Sequence, residues 1–256
     1  MPPKTILINI EGPPRLHPPP KKKKFSQLTN LGTICPITFV KEILFPYALA
    51  ALPGYLSKNW TTTNPLIAAF PIANTTTPAA LINYVQAQTI QDSKSPALKA
   101  LQGHLWRAGY ESGELVAPIY PDVLPAVRAW RSQTPRAVRV YVYSSGSVRA
   151  QELFFHYSCE GDVRGLFDGF FDTRVGAKVE AESYRKILRE CEEGGEGEGW
   201  VFLSDHVGEV RAAMEAGMIG GVVVREGNAP LSEEDKVGMW VIGGGFTEVT
   251  EKLFAE

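Results

Sequence analysis

From residue 121 onward the chain alternates short apolar runs with amphipathic ones, and this alternation restricts its fold more than any other feature. The segment RVYVY (139–143) ends abruptly in SSGS, and GWVFLSD ends in an acid. GGVVVREGN supplies a further strand and turn, MWVIGGG a last one, and residues 169–172 a short turn or strand. Between them, PDVLPAVRAWR, residues 147–155, residues 180–193 and VGEVRAAMEAG have helical periodicity. Asp122 is placed to cap the first of these, with Pro125 in its first turn. An isolated apolar stretch at residues 5–10, rich in isoleucine, reads as one more buried strand. Strands alternating with helices require right-handed crossovers and a mostly parallel sheet, so the expected fold class is α/β.

In such sheets ligands bind beyond the carboxyl ends of the strands. The residues at those ends are Asn9 and Glu11, then Ser144, Ser145 and Ser147, then Asp205, with Arg225 and Asn228 after a further strand and Lys178 on a loop between. Glu11 and Asp205, acids at different strand ends, can hold Mg²⁺ through oxygen. Ser144, the backbone N–H groups of SSGS and a helix N-terminus make an anion cradle, and Lys178 adds a compact positive charge. Together they point to phosphoryl transfer, in which catalysis is mostly placement and charge neutralisation. Taken singly, each has an ordinary reading as a cap, a turn or a solvated charge. Their order along the alternating pattern is what joins them.

Residues 33–120 read as linker and helix with no convincing strand. Phe39, Ile43, Phe45 and Leu49 fall near one helical face, with Pro46 interrupting it. Helices are expected around residues 80–91 and 95–110, the second with Leu101, Leu105 and Ala108 along one side. Residues 61–78, with TTT twice, read as an irregular connection. Trp106 and Trp130 are expected in the core, as are His104 and His156.

Charge excludes one class of partner. With 26 Lys and Arg against 28 Asp and Glu, the chain lacks the basic surface that nucleic acid requires. Three cysteines without metal spacing, and no secretory signal, suit a reducing compartment. No apolar run is long enough for a bilayer, so no membrane partner is expected. The expected location is the cytoplasm, with nuclear access open at this size.

Residues 13–32 stand apart. The stretch PPRLHPPPKKKK and its polar tail cannot bury enough apolar area to offset ordering entropy, so disorder is expected. Its four lysines at 21–24 read as a solvated loop, or as an import or anion-surface patch. Removing the segment joins NIEG to TICPI. It is read as retained intron sequence, or else as a lineage-specific loop.

These stretches carry a family resemblance. IEG joined to TICPITFVKEILFPY, LQGHLWRAGYESGEL, PDVLPAVRAWR and VYVYSSGSVRAQELFF resemble the haloacid dehalogenase superfamily. So do GLFDGFFDTRVGAKVEAESYRKI, WVFLSD and VVVREGNAPLSEED, and the whole set looks like the enolase-phosphatases of methionine salvage. The resemblance implies a Rossmann-like core, residues 1–12 and 121–256, with a helical cap inserted between. It implies a monomeric, Mg²⁺-dependent acireductone synthase that enolises 2,3-diketo-5-methylthiopentyl-1-phosphate and then removes its phosphate. In that superfamily an aspartate after the first strand attacks phosphorus and an acid two positions later handles protons. Carried over, these positions fall on Asn9 and Glu11, the substrate-holding positions on Ser144, Ser145 and Lys178, and the metal ligands on Asn9, Glu11 and Asp205. Asn9 departs from the pattern, because a neutral amide is a poor nucleophile. Two alternatives therefore stand: a pseudophosphatase that binds Mg²⁺ and a phosphometabolite, and another capped phosphohydrolase.

Overall fold

The computed structural model describes residues 5–9, 32–36, 38–61, 63–91, 93, 95–133, 137–191, 199–226, 228 and 230–254. Glu11, His17 and residues 13–31 of the proposed insertion lie outside them. The chain divides into two compact units, Met1–Thr38 with Pro118–Glu256, and Phe39–Ala117. Residues 33–38 thus belong with the α/β unit and not with the helical one.

Strand β1 (Thr5–Asn9) is followed by the helical unit, which starts with a π-helical turn, Phe39–Leu44. Helices α1 (Phe45–Asn59), α2 (Pro65–Ala68), α3 (Pro78–Ile90) and α4 (Pro96–Glu111) complete it. Helices α2, α3 and α4 each carry a proline in the first turn, where the missing N–H costs nothing, whereas Pro46 of α1 lies just past the π-helical turn that runs straight into that helix. The apolar core of the unit is built from Ala48, Leu52 and Leu56 of α1, Leu81 and Val85 of α3, and Leu98, Leu101 and Leu105 of α4.

Two expected faces are corrected here. Ile43 is 48% exposed, because the π-helical turn takes an extra residue and shifts the phase of everything after it. Ala108 is exposed as well, since the buried stripe steps from Leu105 to Gly109. The connection at 61–78 is less irregular than its composition suggests: it holds α2 and a 3₁₀ turn at Ile72–Asn74. Thr77 then caps α3 by accepting from Ala80 N–H.

The α/β unit continues with α5 (Val123–Arg131), β2 (Arg139–Ser144), α6 (Val148–His156), β3 (Gly169–Asp172), α7 (Ala181–Cys191) and β4 (Trp200–Ser204). It ends with α8 (Val207–Glu215), β5 (Ile219–Val223), α9 (Glu233–Lys236), β6 (Trp240–Ile242) and α10 (Gly245–Phe254). The six strands form one sheet in the order β3-β2-β1-β4-β5-β6, and every pairing is parallel. All five residues of β1 and of β4 are buried, which explains their near-continuous apolar runs.

One face of the sheet packs on α7 and α8 through Leu7, Tyr143, Phe202, Tyr184, Ile187 and Val210. Ile6, Ile8, Val140 and Val142 are fully buried and point the other way. Trp130 of α5 is a core residue: it stacks on Phe246 at 5.3 Å and donates to Thr250 Oγ1. In the helical unit Trp106 is partly buried and its Nε1–H donates to the Leu44 carbonyl. His156 Nδ1 lies 2.9 Å from Asp162 Oδ2 with its side chain 38% exposed, so it is not a packed core histidine. Exposed His104 meets the Tyr55 ring edge-on.

Candidate active site

The sheet order puts β1 between β2 and β4, so the chain crosses to opposite sides of β1 and opens a crevice at its carboxyl end. Asn9 is the last residue of β1, paired with Tyr143, and Asp205 directly follows β4. Asn9 is fully buried and faces Lys178, whose Nζ donates to Asn9 Oδ1 at 2.8 Å. Lysine only donates, so this bond fixes the amide orientation and sends Nδ2 to Ser204 Oγ, 3.1 Å away. Ser204 gives its own proton to Glu209 Oε2 at 2.9 Å, and Glu209 Oε1 lies 3.0 Å from Lys178 Nζ. Asn9, Lys178, Glu209 and Ser204 thereby close a ring of three hydrogen bonds and one ion pair. Removing one partner of such a buried pair leaves an uncompensated charge.

Lys178 sits on a loop held by three hydroxyls. Tyr143 donates to the Gly176 carbonyl, Ser183 to that of Ala177, and Tyr184 to that of Lys178 itself. Gly176 has φ +146°, and a Cβ there would overlap Ser183 Oγ, so the turn needs glycine. The ammonium is therefore presented from a fixed platform at 7% residue exposure.

Asp205 is bound twice by Thr33. Its N–H donates to Thr33 Oγ1 at 3.0 Å, and Thr33 Oγ1 donates to Asp205 Oδ1 at 3.1 Å. Burial pushes the Asp205 carboxyl up to about 6, with the Glu209 charge adding to the effect and the Thr33 bond and Lys178 opposing it. His206 accepts from Glu209 N–H through Nδ1 and so caps α8. Burial holds its pKa below the ordinary value, as this acceptor role requires.

The serine turn is more self-contained than its sequence suggests. Ser144 is fully buried and its Oγ accepts from Gly146 N–H at 3.0 Å. Val148 N–H, at the start of α6, donates to Asp172, and Ala150 N–H donates to Ser147 Oγ. Donors expected to be open for an anion are thus partly used within the turn. Ser145 is partly exposed. Asp122 also departs from expectation: its carboxylate makes no cap to α5 and instead accepts from Phe246 N–H and pairs with Arg225.

The structure brings Asn9, Lys178 and Asp205 into one region and leaves Ser144 and Ser145 at the end of the neighbouring strand β2. Glu11 lies outside the described residues. Among those residues no group of three His, Cys, Asp or Glu is clustered for a metal. Sequence reading missed Glu209, Ser204 and Thr33. The only available signal was the spacing in SDHVGE, which places a second acid one helical turn beyond Asp205.

No family model matches the chain. Enolase-phosphatase E1 of Botryotinia fuckeliana is 46% identical over 256 residues, covering 94% of this chain and 96% of its own length. That of Sclerotinia sclerotiorum is 48% identical over 219 residues, 80% of this chain and 85% of its own. Enolase-phosphatase E1 of Salmo salar is 42% identical over 230 residues, with coverages of 80% and 86%. The crystal structure of the UTR4 protein from Saccharomyces cerevisiae matches with a TM-score of 0.70 and 33% identity, covering 93% of this chain and 96% of that one. CbbY from Rhodobacter sphaeroides, solved with phosphate, shares the fold at TM-score 0.55 and 17% identity, with 96% of each chain covered. With identities of this size over most of both chains, the protein belongs to the enolase-phosphatase E1 family.

Proposed function

We propose that this chain enolises 2,3-diketo-5-methylthiopentyl-1-phosphate and releases its phosphate to give the acireductone of methionine salvage, with Mg²⁺ at the strand ends. The observation that carries this reading is the buried Lys178 cation held against residue 9, in a chain with enolase-phosphatase relatives at 42–48% identity. Lys178, already desolvated and fixed by its loop, is a cation suited to the charge that gathers on a transferring phosphoryl group.

The residues present fit Mg²⁺. The Asp205 carboxylate and the Asn9 carbonyl are hard oxygen donors at the ends of two hydrogen-bonded strands, and Glu11 follows Asn9 by two residues. An amide oxygen has two lone pairs, so accepting from Lys178 does not by itself bar Asn9 Oδ1 from ligating a cation. The burial that raises Asp205 is the field a divalent cation relieves. Bound there, Mg²⁺ supplies Lewis-acid polarisation and charge neutralisation at the phosphoryl oxygens. Ser144 and Ser145 contribute hydroxyls to the phosphate, and Glu11 moves protons.

Asn9 divides the two steps. Enolisation needs placement and a base and proceeds with Asn9; phosphorus attack by residue 9 needs a carboxylate. The chain as written therefore binds and enolises its substrate but releases phosphate slowly. Phosphate release by Asn9→Asp is expected to exceed that of the natural chain by about 10³-fold or more. Equal rates would sink this assignment, and enol absorbance without phosphate release would support the split. Within this reading the chain acts as a monomer in the cytoplasm, with access to the nucleus. Its three cysteines, none of them in a disulfide, favour a reducing compartment, and light scattering and imaging of a tagged chain test both points.

A further inference from the structure

The carboxylate of Asp205 is oriented by Thr33, and Thr33 is in turn held from the opposite side. Arg225 donates to the Thr33 carbonyl through Nε at 3.3 Å and Nη2 at 3.1 Å. Its remaining arm, Nη1, donates to Asp122 Oδ1 at 3.0 Å and lies 2.9 Å from Oδ2. The guanidinium plane rests 4.4 Å from the centre of the Tyr120 ring. Asp122 is fixed by Phe246 N–H at 2.7 Å, and this approach depends on Gly245. Gly245 has φ +65°, and a Cβ there would overlap Asp122 and Arg225.

We infer that Arg225 is a positioning residue for Asp205, acting through Thr33. Sequence shows why such a device is needed. The chain leaves the sheet at Asn9, and Thr33 is 24 positions later, so no short covalent connection sets where Thr33 lies relative to the strand ends. Thr33 is nonetheless fully buried, and its Oγ1 meets both the backbone N–H and the carboxylate of Asp205. Arg225, one residue past the Val224 amide that bonds Ile242 at the far side of the sheet, supplies the missing reference point. A planar fork is required, because one side chain must span a carbonyl, a carboxylate and an aromatic face together.

The metal readout rests on the Mg²⁺ reading given above, and an exchange readout does not. Amide hydrogen exchange in the full chain without metal reads the Asp205 N–H bond to Thr33 directly. Arg225→Met is expected to speed exchange at Asp205 about tenfold or more, with amides inside β1 and β4 unchanged. Calorimetric titration with Mg²⁺ is expected to show affinity about tenfold weaker or worse, the scale seen when an outer partner of a ligand is lost. Thr33→Val reproduces both effects, Thr33→Ser neither, and Arg225→Lys fails to rescue. Arg225→Met combined with Thr33→Val is no worse than Thr33→Val alone, because both act on one contact.

Unchanged exchange at Asp205, a uniform rise across all amides, or additive losses in the double variant would overturn the proposal. Absence of Mg²⁺ binding by the natural chain would overturn the metal reading instead, and exchange alone would then decide the role of Arg225. Should Arg225→Met fail to fold, Asp122→Asn keeps the acceptor shape and is expected to show the same selective pattern at smaller amplitude; no selective effect there overturns the proposal equally.

Discussion

At the ends of β2 and β3, Gly146 N–H bonds Ser144 and Val148 N–H bonds Asp172, contacts spanning 2 and 24 residues. At the ends of β1 and β4, Lys178 meets Asn9 across 169 residues, Asn9 meets Ser204 across 195, and Thr33 meets Asp205 across 172. One side of the site is held by a turn and by contacts no more than 24 residues apart, and the other exists only when the whole sheet is assembled. The first loses less to a single change because its partners are close in sequence and one of them is a turn hydroxyl. The second concentrates buried charge and depends on every partner.

The contrast is broken most directly at the ring. Glu209→Gln or Lys178→Met leaves the other charge buried alone, and urea unfolding is expected to show a loss of about 3–5 kcal/mol. Replacing both together is expected to cost less than the sum of the two. A loss below about 1 kcal/mol for either single change would mean that the ring does not hold the two strands. Shortening the long connection acts on the same side in the opposite direction. Deleting residues 13–32 cuts the Asn9–Thr33 connection roughly eightfold, worth about 2 kcal/mol of closure entropy. A chain no more stable after deletion would show that the segment contributes contacts of its own.

On the local side the expected effects are smaller. Burial alone would raise the Asp172 carboxyl, but hydrogen bonds from the Arg174 side chain and from the Arg174 and Val148 amides hold it below its ordinary value. A depressed acid stabilises fully above its unfolded pKa and loses that contribution as pH falls through the folded one. Asp172→Asn is expected to lower stability by about 1–2 kcal/mol at neutral pH. It should also flatten the stability profile below about pH 4; an unchanged acid limb would remove Asp172 from that account. Ser147→Ala removes the α6 cap for about 1 kcal/mol, readable as a small shift in thermal midpoint with the ring intact.

The same contrast explains what could be read in advance. Alternation from residue 121 announced the parallel sheet because its central strands are buried on both faces and its helices on one. Asn9, Lys178 and Asp205 could be picked out because each follows a strand or sits on a loop at a fixed place in that order. Glu209 was only hinted at by the SDHVGE spacing, since nothing local distinguishes a buried acid in a helix from a solvated one, and Ser204 reads as an ordinary strand-end serine. Thr33 was hidden for the same reason. Asp122 misled because an acid before a helix has the pattern of a cap whether or not its carboxylate turns to a distant arginine. The phase slip at Ile43 has a different origin: a π-helical turn breaks the 3.6-residue count on which face prediction rests.

The position of β1 also sets an order of events during synthesis. Its neighbours in the sheet are β2, which begins at Arg139, and β4, which begins at Trp200. Strand β1 must therefore wait for these partners through more than 120 further residues, although the helical unit, whose contacts are local, can collapse meanwhile. A nascent chain halted before residue 200 would carry β1 with one edge open and the Asn9 amide, Lys178 ammonium and Thr33 hydroxyl all lacking their partners on and beyond β4. This late commitment makes the arrival of β4 the step at which sheet closure and site assembly become a single event.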